Sequence, residues 1–225
     1  MKTLVEHINE ALKIGNNLSE WSSYSCQPKT KKELKEIIKE RISEQGNKCD
    51  LNDIDTSLIT DMSDLFAYSE FNCDISKWDV SNVKNMSRMF IHSNFNRDIS
   101  NWNVSNVENM SGMFYGTCFT GDISKWNTSK VENMERMFYN SKFNRDISRW
   151  NVSKVKRMNS MFAYSEFNQD ILTWNVSKVA NAYKIFFKSN FNQDISKWKI
   201  RKDCDTSDMF AYCSIKQEYK PKLPR

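Results

Sequence analysis

Apolar and polar positions alternate in one rhythm, change to another, and then begin again. Phenylalanine stands at Phe66, Phe90, Phe114, Phe138, Phe162, Phe186 and Phe210, each 24 residues after the last. A second series runs Phe71, Phe95, Phe119, Phe143, Phe167 and Phe191, and tryptophan keeps step at Trp78, Trp102, Trp126, Trp150, Trp174 and Trp198. The Asp-Ile pair recurs from Asp74-Ile75 to Asp194-Ile195, and no insertion breaks the register. Within a unit, Val83, Met86, Met89 and Phe90 fall at i, i+3, i+6 and i+7, which predicts one apolar stripe on a short helix. Ser81 stands ahead of it as an N-cap candidate, as do Ser105, Ser129, Ser153 and Ser177. Asp74-Ile75-Ser76, with one apolar residue between two polar ones, predicts a brief strand with Trp78 and Val80 packed below.

A single unit carries too few apolar side chains to offset the entropy of ordering it, so the units must stack and cover one another. The fold class read from the pattern is α/β, one short strand and one short helix per unit. Strands stack about 4.8 Å apart and helices pack at roughly 8–10 Å, so the array should curve with its strands inside a right-handed bend.

The repeat decays at both ends, as capped arrays do. Asp50-Leu51 matches the Asp-Ile pair, but Ile54 fills the tryptophan slot. Late in the chain Ala182 and Ile185 replace methionines, and Asp203 takes a valine slot, so the last unit should expose that charge. Thr30-Lys31-Lys32-Glu33 has capping-box spacing and predicts a helix over 31–45, stopped by Gly46, with Leu34, Ile37, Ile38 and Ile42 as its apolar face. A second amphipathic helix is expected over 3–14, either packed on the cap or free to dock elsewhere. The boundaries are then 1–29 for the N-terminal amphipathic helix and linker, 30–49 for the capping helix, 50–215 for the repeat array and 216–225 for a basic tail. The array holds about six full units after a degenerate first one.

Composition changes this picture little. Five glycines and three prolines are few for a chain made of tight turns. The net charge of +5 is modest and leans on the tail, which suggests a solvated surface with a frayed end rather than a nucleic-acid stripe. Six cysteines lie scattered without C-x-x-C pairing, as expected of reduced thiols in a cytosol-like compartment. The first ten residues mix charges into apolar positions, so no secretory signal is expected, nor a membrane span anywhere. The expected location is cytoplasmic or particle-associated.

The string Phe95-Asn96-Arg97-Asp98-Ile99-Ser100-Asn101-Trp102-Asn103-Val104-Ser105, with Met110 and Met113-Phe114, resembles the BspA-like surface-antigen type of leucine-rich-repeat protein. That type includes domain-of-unknown-function repeats of mycoplasma and gut-bacterial proteins. The resemblance covers roughly 50–212 and implies a curved leucine-rich-repeat-like solenoid used for adhesion or protein recognition. It brings no catalytic residue.

One Asp per unit invites a metal or acid-base reading, but metal sites need several oxygens converging on one point, and a ladder does not provide that. Asp74, Asp98, Asp122, Asp146, Asp170 and Asp194 are expected to close turns on backbone N–H groups, with Lys77, Lys125, Arg149 and Lys197 as ion-pair partners. The Asn72, Asn96, Asn144, Asn168 and Asn192 series reads as an asparagine ladder, interrupted by Thr120. Specificity should lie in slots that vary. Those beside the predicted strand hold Lys77, Arg97, Lys125, Arg145, Arg149 and Lys197, suited to an acidic protein surface or a polyanion. The slot after the helix holds Tyr68, Tyr164 and Tyr212, which either anchor a partner or cover the unit's edge. No nucleophile–base set recurs and nothing calls for a metal or cofactor. The expectation is a non-catalytic scaffold that recognises a protein partner, without specific nucleic-acid binding. The alternative is a structural component anchored to a phage particle or cell surface through the N-terminal helix.

Overall fold

The computed structural model describes residues 24–223. The helix expected over 3–14 lies outside them, as does most of the linker. The register is as the sequence implies: single parallel bridges join Asp61 to Asn85, Asn85 to Asn109, and so on to Asn181 with Asp205, each across one repeat. The α/β class is overturned. Among the described residues the only helices are α1, Lys31–Gln45, and a 3-10 turn at Gln217–Tyr219, and no strand extends beyond a single bridge. Neither the leucine-rich-repeat-like solenoid nor its strand and helix per unit forms. Each 24-residue unit is a rung made of consecutive turns.

Four side-chain turns shape a rung. Asp74 Oδ1 accepts from the Ser76 N–H, Asp79 Oδ1 from Ser81 and Asn85 Oδ1 from Ser87. The fourth is a hydroxyl turn, in which Ser93 Oγ accepts from the Phe95 N–H. These are Asx and Ser/Thr turns, in which a short polar side chain replaces a backbone acceptor. They also explain why the predicted helix fails. Ser81 donates its N–H backwards instead of capping a helix, and Arg88 and His92 take positive φ (54° and 50°), which a continuous helix excludes. Between these breaks the bonds are three-residue ones, Met89 N–H to Met86 O and Ile91 N–H to Arg88 O. Three-residue turns bring i, i+3 and i+6 to the same side, which is why the stripe imitated a helix.

The remaining N–H groups stitch rung to rung. Met62, Asp64, Phe66 and Tyr68 donate to the carbonyls of Asn85, Ser87, Met89 and Ile91 at 2.8–3.0 Å, and the same four bonds recur in every later pair of rungs down to Lys188 and Ala211. Rings in equivalent positions measure the local rung spacing. Tyr115 and Tyr139 lie 4.6 Å apart beside this ladder, Phe114 and Phe138 5.7 Å apart in the core, and Trp126 and Trp150 6.4 Å apart on the far side. The stack therefore bends with its hydrogen-bonded edge inside. The expected concave strand face is replaced by a concave edge of left-handed turns.

The interior is columns of like residues. Phe90, Phe114, Phe138, Phe162 and Phe186 are fully buried and stacked, and the second phenylalanine series lies against them. Each of the six repeat tryptophans is nearly buried and donates its indole N–H to the carbonyl 27 residues back, as Trp126 does to Ile99 at 3.1 Å. The asparagine ladder runs as read: Asn72 Oδ1 accepts from the Asn96 N–H, Asn96 from Thr120, and Asn144 from Asn168.

Both ends are covered. Thr30 Oγ1 accepts from the Glu33 N–H and opens α1, whose Leu34, Ile37 and Ile38 are buried; Gly46, at φ +81°, closes it. Lys31 reaches Asp61 and Ser63, and Arg41 pairs with Asp53, so α1 sits on the degenerate first rung. At the other end the described part of the basic tail, 216–223, is tied to the stack and not frayed. Tyr219 O accepts from the Ile195 N–H, Pro221 is buried, and Asp203 is exposed and paired with Arg201.

Candidate interaction surfaces

Three polar edges run the length of the stack. The Asp-turn edge carries six of the residues singled out from sequence. Lys77, Lys125, Arg145, Arg149 and Lys197 are exposed and Arg97 is half-buried. Arg97 and Arg145 are not free side chains, because each donates Nε to a carbonyl of the preceding rung, Asn72 O and Thr120 O respectively, at 2.9 Å. Arg97 and Lys125 meet with Asp98 and Asp122 around a hollow of about 440 Å³ that opens over Gly121. The expected ion pairs between the aspartates and the cations three residues on do not form. The Ser124 N–H and hydroxyl hold the Asp122 carboxylate below its ordinary pKa, and Ser148 and Ser196 do the same for Asp146 and Asp194. Six carboxylates and six cations face the same way, so the edge is close to neutral.

The left-handed edge carries the other three candidates, Tyr68 (73% exposed), Tyr164 (42%) and Tyr212 (80%). They belong to a longer series that sequence reasoning missed. Tyr68, His92, Tyr115, Tyr139, Tyr164, Phe187 and Tyr212 form an unbroken chain of rings, each 4.6–5.7 Å from the next. The rings alternate between two adjacent slots, so no single slot shows the series. Taking the two slots together gives one aromatic ring in every rung. Lys188 lies 5.5–5.6 Å from the ring centres of Tyr164, Phe187 and Tyr212, and Lys184 lies 4.8–4.9 Å from those of Tyr183 and Phe187. Burial between its neighbours pushes the Tyr139 hydroxyl above its ordinary pKa. The series is notched at one rung. Gly112 and Gly116 occupy both left-handed positions there, and a hollow of about 440 Å³ opens among Tyr68, Arg88, His92, Tyr115 and Arg136. Gly116 is required by its neighbour, since a Cβ there would come within 2.4 Å of the His92 ring.

The third, Asn-turn, edge changes sign along its length. Over residues 55–61, 79–85 and 103–109 it carries Asp55, Asp61, Asp79 and Glu108 against Lys84. Over 127–133, 151–157, 175–181 and 199–205 it carries eight cations against three carboxylates. Cys73 lies buried beside Cys49, and burial pushes its thiol up to about 12, far from a reactive thiolate.

Comparison with known families fits this stack of repeats. The family model described as Mycoplasma protein of unknown function, DUF285, matches residues 32–142 and again 116–221. The chain belongs to that family. No curated protein and no solved structure matches it. Among the described residues no helix is long and apolar enough to cross a membrane.

Proposed function

We propose that the chain is a non-catalytic scaffold that holds a protein partner against its concave left-handed edge. The observation that carries this reading is the ring in every rung from Tyr68 to Tyr212. Tyr68–His92 and Tyr115–Tyr139 are stacked, and the other four contacts are tilted or edge-on. A protein surface uses exposed rings of this kind as amphipathic anchors with little side-chain entropy to lose. The recurring aspartates support the non-catalytic part, since each is occupied in closing its own turn. Surface adhesion of the BspA-like kind is one setting for such a scaffold.

The test is affinity capture from host lysate with three forms of the full chain: unmodified, Tyr139→Ala/Tyr164→Ala, and Lys77→Glu/Lys125→Glu. A defined protein should be retained by the first and third and lost from the second. Retention by the aromatic double variant would sink the reading.

A further inference from the structure

We propose that the Asn-turn edge of the last four rungs is a second binding strip, one that takes a linear phosphodiester polyanion through its phosphate oxygens. The inference is independent of the aromatic edge and survives if that reading fails.

The strip differs from the same edge higher in the stack most consistently at one slot. Asn82 and Asn106 occupy it in the earlier rungs and donate Nδ2 to the carbonyls of Ser57 and Ser81 at 2.9 and 2.7 Å. Each bond ties one rung to the one before. In the next four rungs the slot holds Lys130, Lys154, Lys178 and Lys202, all exposed. The inter-rung bond is given up and like charges are set one rung apart, a repulsion that contributes nothing to folding. Lys130 leans on Asn106 Oδ1, and Lys154, Lys178 and Lys202 make no ion pair among the described residues. Two of the nearby carboxylates are already engaged, Glu132 by Lys156 and Asp203 by Arg201; Asp205 Oδ1 accepts from the Ser207 N–H.

Almost every other polar group facing out of the strip is also a donor. Asn127, Asn151 and Asn175 are exposed, and their Oδ1 atoms accept from the Ser129, Ser153 and Ser177 N–H groups at 3.1–3.2 Å. That leaves their amide N–H groups toward solvent. On the Asp-turn edge the same turn is closed by aspartate, which leaves a carboxylate outside. The first three rungs of the strip therefore each present an ammonium and an amide N–H pair beside a serine, and the fourth has Lys199 and Arg201 in the Asn and Ser slots; these are groups that bind phosphate oxygens along a nucleic-acid backbone. They recur at a rung spacing between 4.6 and 6.4 Å, comparable to successive phosphates along one strand. No aromatic side chain interleaves with them, so bases have no platform and the contact does not depend on sequence.

Fluorescence anisotropy of a labelled oligothymidylate of about twenty nucleotides, titrated with the full chain from about 50 to 200 mM salt, tests this. Four phosphates neutralised on a single strand predict a slope of log K on log salt near −3, at about −0.7 per phosphate. Lys154→Glu/Lys178→Glu should weaken binding at least about tenfold and roughly halve the slope, with an unchanged circular dichroism spectrum. Lys77→Glu/Lys125→Glu, on the neutral edge, should change neither. Oligodeoxycytidylate should compete as well as oligothymidylate. Inorganic polyphosphate should compete too, and its affinity relative to the oligonucleotide tells whether a bare phosphate chain or a sugar-phosphate backbone is preferred. Three results would each overturn the proposal: no binding at low salt, binding indifferent to the Lys154/Lys178 change, or displacement by poly-L-glutamate as effective as by polyphosphate. The last would assign the strip to an acidic protein segment.

Discussion

The Asp-turn edge and the left-handed edge solve the same problem, joining one rung to the next, with different atoms. On the Asp-turn side the rungs are tied by side chains: the tryptophan indole to the carbonyl 27 residues back, the Asn72-type amide to the next rung's N–H, the Arg97 and Arg145 guanidinium groups to a carbonyl. Those residues recur because each has a fixed partner. On the left-handed side four backbone bonds per rung do the joining. Side chains there add only surface ion pairs between rungs, Arg88 with Asp64 and Lys184 with Asp208, and the slots hold Asp64, Arg88, Gly112, Arg136, Ser160, Lys184 and Asp208 in turn. Variation marks the edge whose backbone is self-sufficient. That is where a partner can be recognised at no cost to the stack.

The contrast breaks most visibly at a tryptophan. Trp126→Ala removes a nearly buried indole from the middle of the array and leaves the Ile99 carbonyl without its donor. Losses of about 3–5 kcal/mol are usual for large-to-small changes of this kind. Trp126→Phe should keep part of the packing and cost about 1–3 kcal/mol for the orphaned carbonyl. Tyr139→Ala, on the edge held by backbone, should cost far less than either. Urea melts of the three variants decide it, and a Tyr139→Ala loss equal to that of Trp126→Ala would erase the distinction.

The next effect is on acid stability. Asp122, Asp146, Asp194 and Asp205 each accept the N–H of the serine two residues on, and that bond, with the serine hydroxyl close by, holds the carboxyls below their ordinary range. An unfolded aspartate titrates near about 3.9. The folded value lies lower, so the stabilisation is fully present above about pH 4 and is lost as pH falls through the folded pKa values. The unfolding midpoint should be flat from neutral pH to about pH 5 and then decline. Asparagine closes the same turn on the neighbouring edge, at Asn127 and Asn151. Asp122→Asn/Asp146→Asn should therefore fold normally and show a shallower acid decline. An unchanged pH profile would mean that these turns are not the source.

Much of this was legible in the sequence, and the failures share a cause. Register, core and capping helix follow from spacing alone, because a column of identical apolar residues permits only in-register stacking. The Asp and Asn ladders follow too. What failed was the local conformation between the columns. Val83, Met86, Met89 and Phe90 fit helical spacing, and scarcity of glycine argued against a chain of turns. The overlooked signal was Asp74-x-Ser76, Asp79-x-Ser81 and Asn85-x-Ser87, three Asx-turn pairs in one repeat. They do much of the turning that glycine usually does. The left-handed positions carry no motif, since twelve non-glycine residues of several chemical kinds occupy them.

That last point gives the smallest effect and the sharpest test of the left-handed edge. Arg136 holds φ at +51°, a conformation that costs a side-chain-bearing residue roughly 1–2 kcal/mol. Glycine adopts it freely but loses about 0.5–1 kcal/mol more backbone entropy on folding. Arg136 has only a long, exposed contact with Glu135 at 3.8 Å to forfeit, and such pairs contribute little. The balance favours Arg136→Gly by about 0.5 kcal/mol. Arg157 stands on the next rung, is exposed, and is not among the positive-φ residues, so only the entropy loss applies there. Arg157→Gly should destabilise by about 0.5–1 kcal/mol. Opposite signs for two arginine-to-glycine changes in adjacent rungs are the expected outcome in urea melts. A loss at both positions would mean that position 136 is not strained, and that the left-handed turns do not set the course of the edge.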